Sequence, residues 1–217
     1  MPQIARGSRP VLIFPCNGNA IEALDALGDT FHCIGFIDDT THKQAQGCMG
    51  LPVWDRSALL RFADAAVLAV PGGAASFRSR REVIDGLGVA EQRWATVVHP
   101  RASVSANARL GRNVLLMAGV VVTSNAVIGD HVCILPNSVV HHDSAIGPWS
   151  LVGSSVTIAG SVTVEENCYV GSGSTIKNGL KLGAGCLIGL GSNVLRDVAP
   201  ATTVVGNPAR PLARAAE

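Results

Sequence analysis

The chain has 217 residues, enough for one or two domains, and carries a formal net charge of +1 at neutral pH. A balanced charge without a basic patch argues against binding to nucleic acid or to an anionic membrane surface. No apolar run approaches the ~20 residues of a membrane span, and residues 1–10 lack the hydrophobic region of a signal peptide, which together predict a cytoplasmic protein.

The first part of the chain alternates apolar strands with helical patterns. The predicted elements are a strand at Val11–Phe14, a helix that ends near Leu27, strands at His32–Ile37 and Ala65–Val70, and a helix at Arg78–Leu87. This order is typical of βαβ units, in which helices cover a parallel sheet. We therefore predict a small Rossmann-like domain over residues 1–97.

Three loops at the carboxyl ends of these strands form the expected ligand site. The residues that we assign to nucleotide binding are Asn17, Gly18, Asp38, Asp39, Gly72 and Gly73. Asp38 follows Gly18 by twenty residues, the separation expected of a carboxylate that holds a ribose hydroxyl. The full glycine fingerprint is missing, so a plain turn beside a solvated acidic pair stays an alternative. The sheet stops near residue 98, without the second half that a nicotinamide needs, and this disfavours an NAD-dependent reaction.

A six-residue repeat governs the second part of the chain. Every sixth residue from Val98 to Val194 is Val, Leu or Ile, at seventeen successive positions. Neither a helix nor an alternating strand has this period, whereas a hexapeptide repeat coiling into a parallel β-helix requires it. Three hexads close a triangular coil, and stacked coils satisfy each other's backbone hydrogen bonds. The span accounts for between five and six coils.

Two further positions of the hexad agree with this architecture. The residue four after each aliphatic is small or apolar, so both sets are expected to point inward. The residue three after it often tolerates positive φ and predicts the corners: Asn113, Gly119, Asn125, Asn137, Asp143, Asn167, Gly173, Gly179, Gly185 and Gly191. Aromatic residues are only 4% of the chain, which suits a narrow prism filled by aliphatic side chains.

The six cysteines lack paired metal-type spacing and are interpreted as reduced thiols. Cys168 and Cys186 lie eighteen residues apart, which predicts that they stack on one inner corner of successive coils. Buried free cysteine behaves as a small hydrophobe, so we assign both a packing role.

The candidate for chemistry is the run His141-His142-Asp143, at outward and corner positions of the hexad. A neutral imidazole is a competent general base, and an adjacent carboxylate can set its tautomer. A polar, hydrated corner is the alternative. We expect structural roles for His131, a corner residue without a companion, and for His99 in the junction. No metal is expected, because His131, His141 and His142 are the only histidines of the repeat region and a three-histidine site on stacked coils would need all of them.

Four features of the sequence resemble a known family. The hexad array, the junction Thr96–Pro100, the segment Val139–Gly147 and the tail Val205–Arg210 together resemble the bacterial left-handed β-helix sugar acetyltransferases. More narrowly, the chain is similar to the nucleotide-sugar N-acetyltransferases that act on 4-amino-4,6-dideoxy sugars, including the bacillosamine-pathway enzyme and GDP-perosamine N-acetyltransferase. The resemblance implies a left-handed β-helix over residues 98–217 with a C-terminal cap.

The resemblance also implies an activity. It predicts a homotrimer that uses acetyl-CoA, with the nucleotide on the N-terminal domain and the amino sugar in a cleft between neighbouring β-helices. The family's catalytic histidine and acid fall on His142 and Asp143, but His141 precedes them and leaves the choice of base open. GDP-perosamine is favoured over a UDP-linked sugar, and the product is destined for O-antigen biosynthesis or for protein glycosylation.

The resemblance assigns coenzyme contacts, chiefly through main-chain groups, to Gly160, Ser172, Leu190 and Pro208. The first loop departs from the family pattern, because it has Cys16–Asn19 where relatives often carry more glycines and a histidine. This departure leaves the nucleotide base open. Two other functions stay open as well: an O-acetyltransferase for a sialic-acid-type sugar, and a non-catalytic trimeric scaffold.

Overall fold

The structure, a computed structural model, describes residues 7–212. Residues 1–6 of the predicted N-terminal domain and residues 213–217 of the predicted C-terminal domain lie outside the described residues. Within the described range, no helix is long and apolar enough to cross a membrane.

A four-stranded parallel sheet, with strand order β3-β2-β1-β4, forms the first part. Its elements are β1 (Arg9–Phe14), α1 (Gly18–Ala26), β2 (Phe31–Ile37), α2 (Thr41–Gln46), β3 (Val53–Trp54), α3 (Ala58–Arg61), β4 (Ala66–Ala69) and α4 (Arg80–Asp85), with 3-10 turns at Phe77–Ser79 and Glu91–Arg93. The predicted strands correspond to β1, β2 and β4, and the first predicted helix to α1. The strand β3 and the helices α2 and α3 were not predicted, because each is too short to show a period.

Seventeen two-residue strands, each ending on one hexad aliphatic, form the second part. They are β5 (Val97–Val98), β6 (Ser103–Val104), β7 (Arg109–Leu110), β8 (Leu115–Leu116), β9 (Val121–Val122), β10 (Val127–Ile128), β11 (Cys133–Ile134), β12 (Val139–Val140), β13 (Ala145–Ile146), β14 (Leu151–Val152), β15 (Thr157–Ile158), β16 (Thr163–Val164), β17 (Tyr169–Val170), β18 (Thr175–Ile176), β19 (Lys181–Leu182), β20 (Leu187–Ile188) and β21 (Asn193–Val194). Strands β22 (Thr203–Val205) and β23 (Arg210–Pro211) follow. The predicted left-handed parallel β-helix is confirmed.

The coil strands form the three faces of the prism. The eight-stranded face contains β5, β8, β11, β14, β17, β20, β22 and β23, the six-stranded face contains β6, β9, β12, β15, β18 and β21, and the five-stranded face contains β7, β10, β13, β16 and β19. Strands pair in parallel with the strand eighteen residues away, as Val139 does with Thr157. Each residue therefore has its equivalent directly above and below it in the neighbouring coils.

The inward-facing sets fill the prism almost as predicted. Every hexad aliphatic from Leu116 to Val194 is buried, as is the predicted set of small residues that follows. Inward serines are satisfied by the coil geometry: Ser150 Oγ donates to Glu165 O at 3.2 Å and accepts from Cys168 N at 3.1 Å. The first three hexad aliphatics are less covered: Val104 and Leu110 are partly buried, and Val98, whose strand at the end of the prism pairs on one side only, is 37% exposed.

The corners adopt positive φ, as predicted for all ten Gly, Asn and Asp positions. Four further corner residues adopt it against their intrinsic preference: His131, Trp149, Ser155 and Ser161. The closure of the coil imposes this conformation whatever the residue type. His131 was predicted as a corner from its place in the hexad, whereas Trp149, Ser155 and Ser161 were not, because these residue types do not favour positive φ.

The eight-stranded face packs against the α/β part. Its outward residues Leu115, Cys133 and Leu151 share a buried core with strand residues such as Val11 and Leu68. This core is continuous across residue 97, where we place the boundary between the two parts as a proposal. The cysteine prediction is confirmed: the Sγ atoms of Cys168 and Cys186 lie 3.6 Å apart in the prism core, and all six cysteines are free.

Candidate active site and nucleotide loops

His142 and Asp143 form an ion-pair geometry at one corner of the prism, where strand β12 of the six-stranded face turns toward β13 of the five-stranded face. The His142 Nδ1 atom lies 2.8 Å from Asp143 Oδ2, and both side chains are more than half exposed. Asn125, one coil earlier at the same corner, donates from Nδ2 to Asp143 Oδ1 at 3.0 Å. Each oxygen of the carboxylate therefore has a defined partner.

The Asp143 carboxylate sets the tautomer of the His142 ring. An ionised carboxylate can only accept, so the hydrogen-bonding geometry assigns the ring proton to Nδ1. Hydrogen bonds from His142 and Asn125 hold the pKa of Asp143 below the usual aspartate value, which keeps this acceptor charged. The other ring nitrogen, Nε2, then carries a lone pair, and it has no hydrogen-bond partner within residues 7–212. This is the arrangement of a general base that is oriented by an acid.

Gly160 lies under the His142 ring, one coil later. A Cβ atom at residue 160 would lie 2.7 Å from both Cε1 and Nε2 of the ring, a distance that a real side chain does not tolerate. The main chain of the loop is held as well, since His142 O accepts from Ser161 N at 2.9 Å. The ring is therefore confined between Asp143 and a position that has to be glycine for the ring to stay where it is.

His141 differs from its neighbour. Its backbone N–H donates to Ile158 O at 2.9 Å, and its ring makes no hydrogen bond to the residues that the structure describes. The partly exposed ring thus lacks a carboxylate that would set its tautomer. Of the two histidines, only His142 has the geometry of an oriented base.

The three nucleotide loops are brought together as predicted for the carboxyl edge of a parallel sheet. Asn17 caps α1 by accepting from Ala20 N at 2.9 Å, and its Nδ2 donates to Val70 O at 3.3 Å. Lys43 Nζ donates to Cys16 O at 2.8 Å and to Asp38 Oδ2 at 2.7 Å. These two side chains connect the loop after β1 to the loops after β4 and β2.

Asp38 is 6% exposed and is held by internal partners. Its Oδ1 accepts from Thr40 N at 3.1 Å, opposite the contact with Lys43. Burial raises the pKa of Asp38, but the hydrogen bonds from Lys43 and Thr40 outweigh it and leave the pKa below its usual value. Asp39 is exposed and pairs with Arg56 at 2.6 Å. Of the predicted acidic pair, Asp38 is therefore built into the loop and Asp39 faces solvent.

Gly72 and Gly73 lie on the loop after β4, next to the coils. Gly72 has φ +103°, and a Cβ atom there would lie 2.9 Å from Cγ of Arg80. Arg80 is 1% exposed and donates to three carbonyls, those of Pro71, His131 and Trp149. Burial lowers the pKa of Arg80 to about 10. This arginine fastens the glycine loop to two successive corners of the β-helix.

His131 is buried between the two parts of the chain. Its Nδ1 lies 3.0 Å from Asn113 Nδ2, its ring stacks on Trp149 with centroids 5.7 Å apart, and Trp94 meets its edge. The sequence indicated no partner for His131, but the folded chain supplies three, because Asn113, Trp94 and Trp149 are distant in sequence and lie close in the structure. The structural role is as expected. His99 also has a local role, accepting from Arg101 N at 2.9 Å.

The predicted coenzyme residues fall at two different corners. Gly160 belongs to the corner of His142, whereas Ser172 and Leu190 belong to turns that lead from the eight-stranded to the six-stranded face. Pro208 follows Leu190 by a further eighteen residues, beside Ala209, whose N–H donates to Asn193 O at 2.8 Å. A single chain therefore does not bring Gly160 together with the other three.

Three functional candidates escaped the sequence analysis. Lys43, Arg80 and Asn125 each act through partners that lie far away in sequence or one coil away. Only Asn125 had a usable signal, since it precedes Asp143 by one full coil of eighteen residues. Within residues 7–212, no group of three or more His, Cys, Asp or Glu side chains is arranged to hold a metal ion.

The loop after β4 and His142 lie at different corners of the prism, because Arg80 fastens that loop to the corner of His131 and Trp149. The α/β part packs on the eight-stranded face, and the His142 corner joins the other two faces.

Comparisons with known proteins give one family and several solved structures. The family described as the GMPPB C-terminal domain matches residues 93–204, and no curated protein matches the chain. PerB from Caulobacter crescentus, solved with CoA and GDP-perosamine, is 28% identical with a TM-score of 0.80, covering 97% of this chain and 100% of PerB. A histidine-to-asparagine variant of perosamine N-acetyltransferase from the same organism, with the same ligands, is 27% identical with a TM-score of 0.82, covering 98% and 100%.

The acetyltransferase domain of PglB from Neisseria gonorrhoeae, in complex with acetyl coenzyme A, is also similar. It is 25% identical with a TM-score of 0.82, covering 95% of this chain and 100% of the domain. The similarity to these structures therefore extends over both parts of the chain, and the structures are those of sugar N-acetyltransferases and related acetyltransferase domains solved with CoA or acetyl-CoA.

Proposed function

The chain belongs to the family of the GMPPB C-terminal domain, and from this premise we propose that it transfers the acetyl group of acetyl-CoA to the C4 amine of a nucleotide-linked 4-amino-4,6-dideoxy sugar. GDP-perosamine is the favoured acceptor, because PerB, which resembles the chain over its whole length, was solved with that ligand. The observation that carries the proposal is the oriented His142–Asp143 pair with a free Nε2.

In the proposed mechanism, His142 Nε2 accepts a proton from the C4 ammonium or from the attacking amine. The amine attacks the thioester carbonyl, the tetrahedral intermediate collapses, and the C–S bond breaks to release the coenzyme thiolate, which recovers the proton from the imidazolium. Asp143 holds the tautomer before the attack and stabilises the imidazolium afterwards, while Asn125 fixes the carboxylate. No acyl-enzyme intermediate is required.

Gly160 is suited to stabilise the oxyanion. Its N–H lies in the turn under the His142 ring and donates to no acceptor among residues 7–212. A backbone N–H aimed at the developing charge costs no reorganisation during the reaction. In this proposal Gly160 has two roles: its missing side chain leaves room for the ring, and its main chain faces the acetyl carbonyl.

We further propose that the enzyme is a homotrimer with its site between chains. Arg80 fastens the loop after β4 to the corner of His131 and Trp149, whereas His142 lies at another corner, and the predicted coenzyme residues divide between two corners. The faces that flank His142 also present the apolar residues Val121, Val127, Val139 and Ala145, which are only half-buried in one chain. A neighbouring chain would cover these residues and bring the separated groups together.

The test is thiol release from acetyl-CoA, with GDP-perosamine and a UDP-linked 4-amino-4,6-dideoxy sugar offered in parallel. Wild type, His142→Asn and His141→Asn are compared. We expect turnover with the GDP-linked amine, a loss of about 10²- to 10⁴-fold in kcat for His142→Asn, and less than about 10-fold for His141→Asn.

The outcomes separate the parts of the proposal. If His141→Asn is the more damaged variant, the base assignment is wrong while the reaction stands. Absence of turnover with both amines would overturn the proposed function and direct the search to hydroxyl acceptors. For the assembly, light scattering should give three times the mass of one chain, and a monomer with full activity would contradict a site between chains.

A further inference from the structure

The loop after β4 lies at the point where the order of strands along the sheet reverses. From β1, the strands β2 and β3 lie on one side and β4 lies on the other. Ligands of open parallel sheets bind at such a reversal, in the crevice between the two loops that flank it. The loops after β1 and after β4 are therefore the two walls of the proposed nucleotide-sugar site, and the position of the β4 loop sets the width of the crevice between them.

Side chains hold the end of β4 and the start of the loop that follows it. Asn113, at a corner of the coils, accepts from Ala69 N at 2.7 Å and donates to Ala69 O at 2.9 Å. Two residues further on, Pro71 O accepts a hydrogen bond from Nη1 of Arg80. Gly72 then packs against the stem of Arg80, where a Cβ atom would lie 2.9 Å from Cγ. The position of this wall therefore depends on Arg80 from Pro71 onward.

The other two contacts of Arg80 reach the β-helix. Its Nε donates to Trp149 O at 2.9 Å, and its Nη2 donates to His131 O at 2.7 Å. These two carbonyls lie eighteen residues apart, at equivalent corners of successive coils. The next equivalent corner holds the same segment, because Asn167 Nδ2 donates to Arg78 O at 2.9 Å. One guanidinium therefore joins the loop to corners whose positions are set by the repeat.

A second arginine makes the same kind of contact at the other end of the strand. Arg93 donates to the carbonyls of Ala65, Leu59 and Phe62 at 3.0, 2.8 and 3.0 Å. Ala65 directly precedes β4, so Arg93 holds the amino end of this strand, whereas Arg80 holds the chain at its carboxyl end. Parallel sheets bind ligands at the carboxyl end. A comparison of the two arginines therefore separates the stability of the fold from the position of the loop.

We infer that Arg80 is a positioning residue for the nucleotide sugar, which holds the loop after β4 where the crevice fits the substrate. The inference rests on the proposed function and deepens it. Arg80 is 1% exposed and forms no ion pair with any described residue, so it acts through the loop rather than on the substrate. Release of the loop would lower the fraction of molecules with a competent crevice, and the apparent affinity would fall in proportion. The chemistry at His142 would not change, because His142 lies at another corner.

The test compares the full chain as wild type, Arg80→Met, Arg80→Lys and the control Arg93→Met. Calorimetry gives the dissociation constant of GDP-perosamine, and steady-state kinetics gives kcat and both KM values. We expect Arg80→Met to raise the dissociation constant and the KM of the nucleotide sugar about 10-fold, with kcat and the KM of acetyl-CoA within about twofold of wild type. Arg80→Lys should raise the dissociation constant about 3-fold, because one ammonium nitrogen cannot replace three guanidinium nitrogens. Arg93→Met should lower the thermal unfolding midpoint and leave the dissociation constant unchanged.

An unchanged dissociation constant in Arg80→Met would overturn the inference. An equal rise in Arg93→Met would also overturn it, because loss of stability alone would then account for the weaker binding. If Arg80→Met does not fold, Arg80→Lys decides, and wild-type affinity in that variant overturns the inference. Weaker binding in the Arg80 variants of a protein that transfers no acetyl group would leave the inference standing and overturn the proposed reaction. Failure of the wild type to bind GDP-perosamine would overturn both.

Discussion

The β-helix and the α/β part satisfy their buried polar groups in different ways. In the coils, the inward serines find their partners in the neighbouring coil, as Ser150 does with Glu165 and Cys168. In the α/β part, single side chains connect loops that no repeat relates, as Lys43 connects Cys16 to Asp38. The fold of the coils therefore depends on a constant length of the six-residue repeat, whereas the fold of the α/β part depends on particular side chains.

The largest expected effect comes from a change of length in the coils. One alanine inserted between Thr157 and Ile158 moves each following inward residue out of register with the coil before it. We expect a loss of more than about 4 kcal/mol and failure to fold, measured by thermal unfolding. An insertion between Ala74 and Ala75, on an exposed loop, should cost less than about 1 kcal/mol. Equal thermal unfolding midpoints for the two insertion variants would contradict the idea that the coils depend more strongly on length than the α/β part does.

The second effect concerns Asp143→Asn, which keeps the shape of the corner but not its charge. An amide can donate to Nδ1, and this would move the ring proton to Nε2 and remove the lone pair of the base. We expect kcat to fall about 10²- to 10⁴-fold with little change in the unfolding midpoint. Asp197→Asn, at an exposed coil position away from His142, is the control. Equal activities of the two variants would show that Asp143 does not orient the base.

A third experiment compares one ion pair from each region. Lys43→Met leaves the buried carboxylate of Asp38 with fewer hydrogen-bond partners and should therefore destabilise the protein. We expect a loss of about 1–2 kcal/mol, a value reduced for solvent screening because the Lys43 side chain is 34% exposed. Lys181→Met removes the surface pair with Glu165, whose atoms lie 2.6 Å apart, and should cost less stability than Lys43→Met, because solvent screens an exposed ion pair. Urea unfolding measures both, and a larger loss for Lys181→Met would contradict the comparison.

The Lys43–Asp38 pair also predicts a pH dependence. The folded-state pKa of Asp38 is lowered, so its stabilisation is complete above the ordinary aspartate pKa of about 3.9 and is lost as pH falls through the folded value. In Lys43→Met the pKa of Asp38 rises. Acid unfolding of this variant should therefore begin at a higher pH than in wild type, as measured by circular dichroism along a pH titration. The same onset pH in both proteins would show that the Lys43–Asp38 pair does not contribute to the pH dependence of stability.

The smallest expected effect is that of Gly160→Ala, a substitution in the coils that changes the position of the His142 ring. The new Cβ would displace the His142 ring, which is free to move toward solvent, so the fold should lose little stability. We expect kcat to fall about 10-fold with the KM values nearly unchanged. Gly111→Ala crowds Asp130 at another corner and should cost stability without lowering kcat of the folded protein. Unchanged kcat in Gly160→Ala would show that the ring position is not critical.

More of the structure could be predicted from the sequence in the β-helix than in the α/β part, because the contacts in the coils follow a repeat and those in the α/β part do not. The hexad places Val140 inside the prism and Asp143 at a corner, because a repeat expresses a constraint that acts within six residues. In the α/β part, the strands β1, β2 and β4 were predicted from apolar runs, but β3 at Val53–Trp54 was too short to be recognised. The convergence of the three nucleotide loops followed from the general rule for parallel sheets.

The sequence by itself determined the β-helix, its corners, the inward cysteines and the order of the nucleotide loops, because these depend on local periodicity and short-range backbone preference. Only the tertiary structure decided that Arg80 and Asn113 join β4 and the loop after it to the coils, and that Lys43 connects the loop after β1 to Asp38. Each of these contacts joins residues that chain closure and domain packing bring together, and no period in the sequence encodes such contacts.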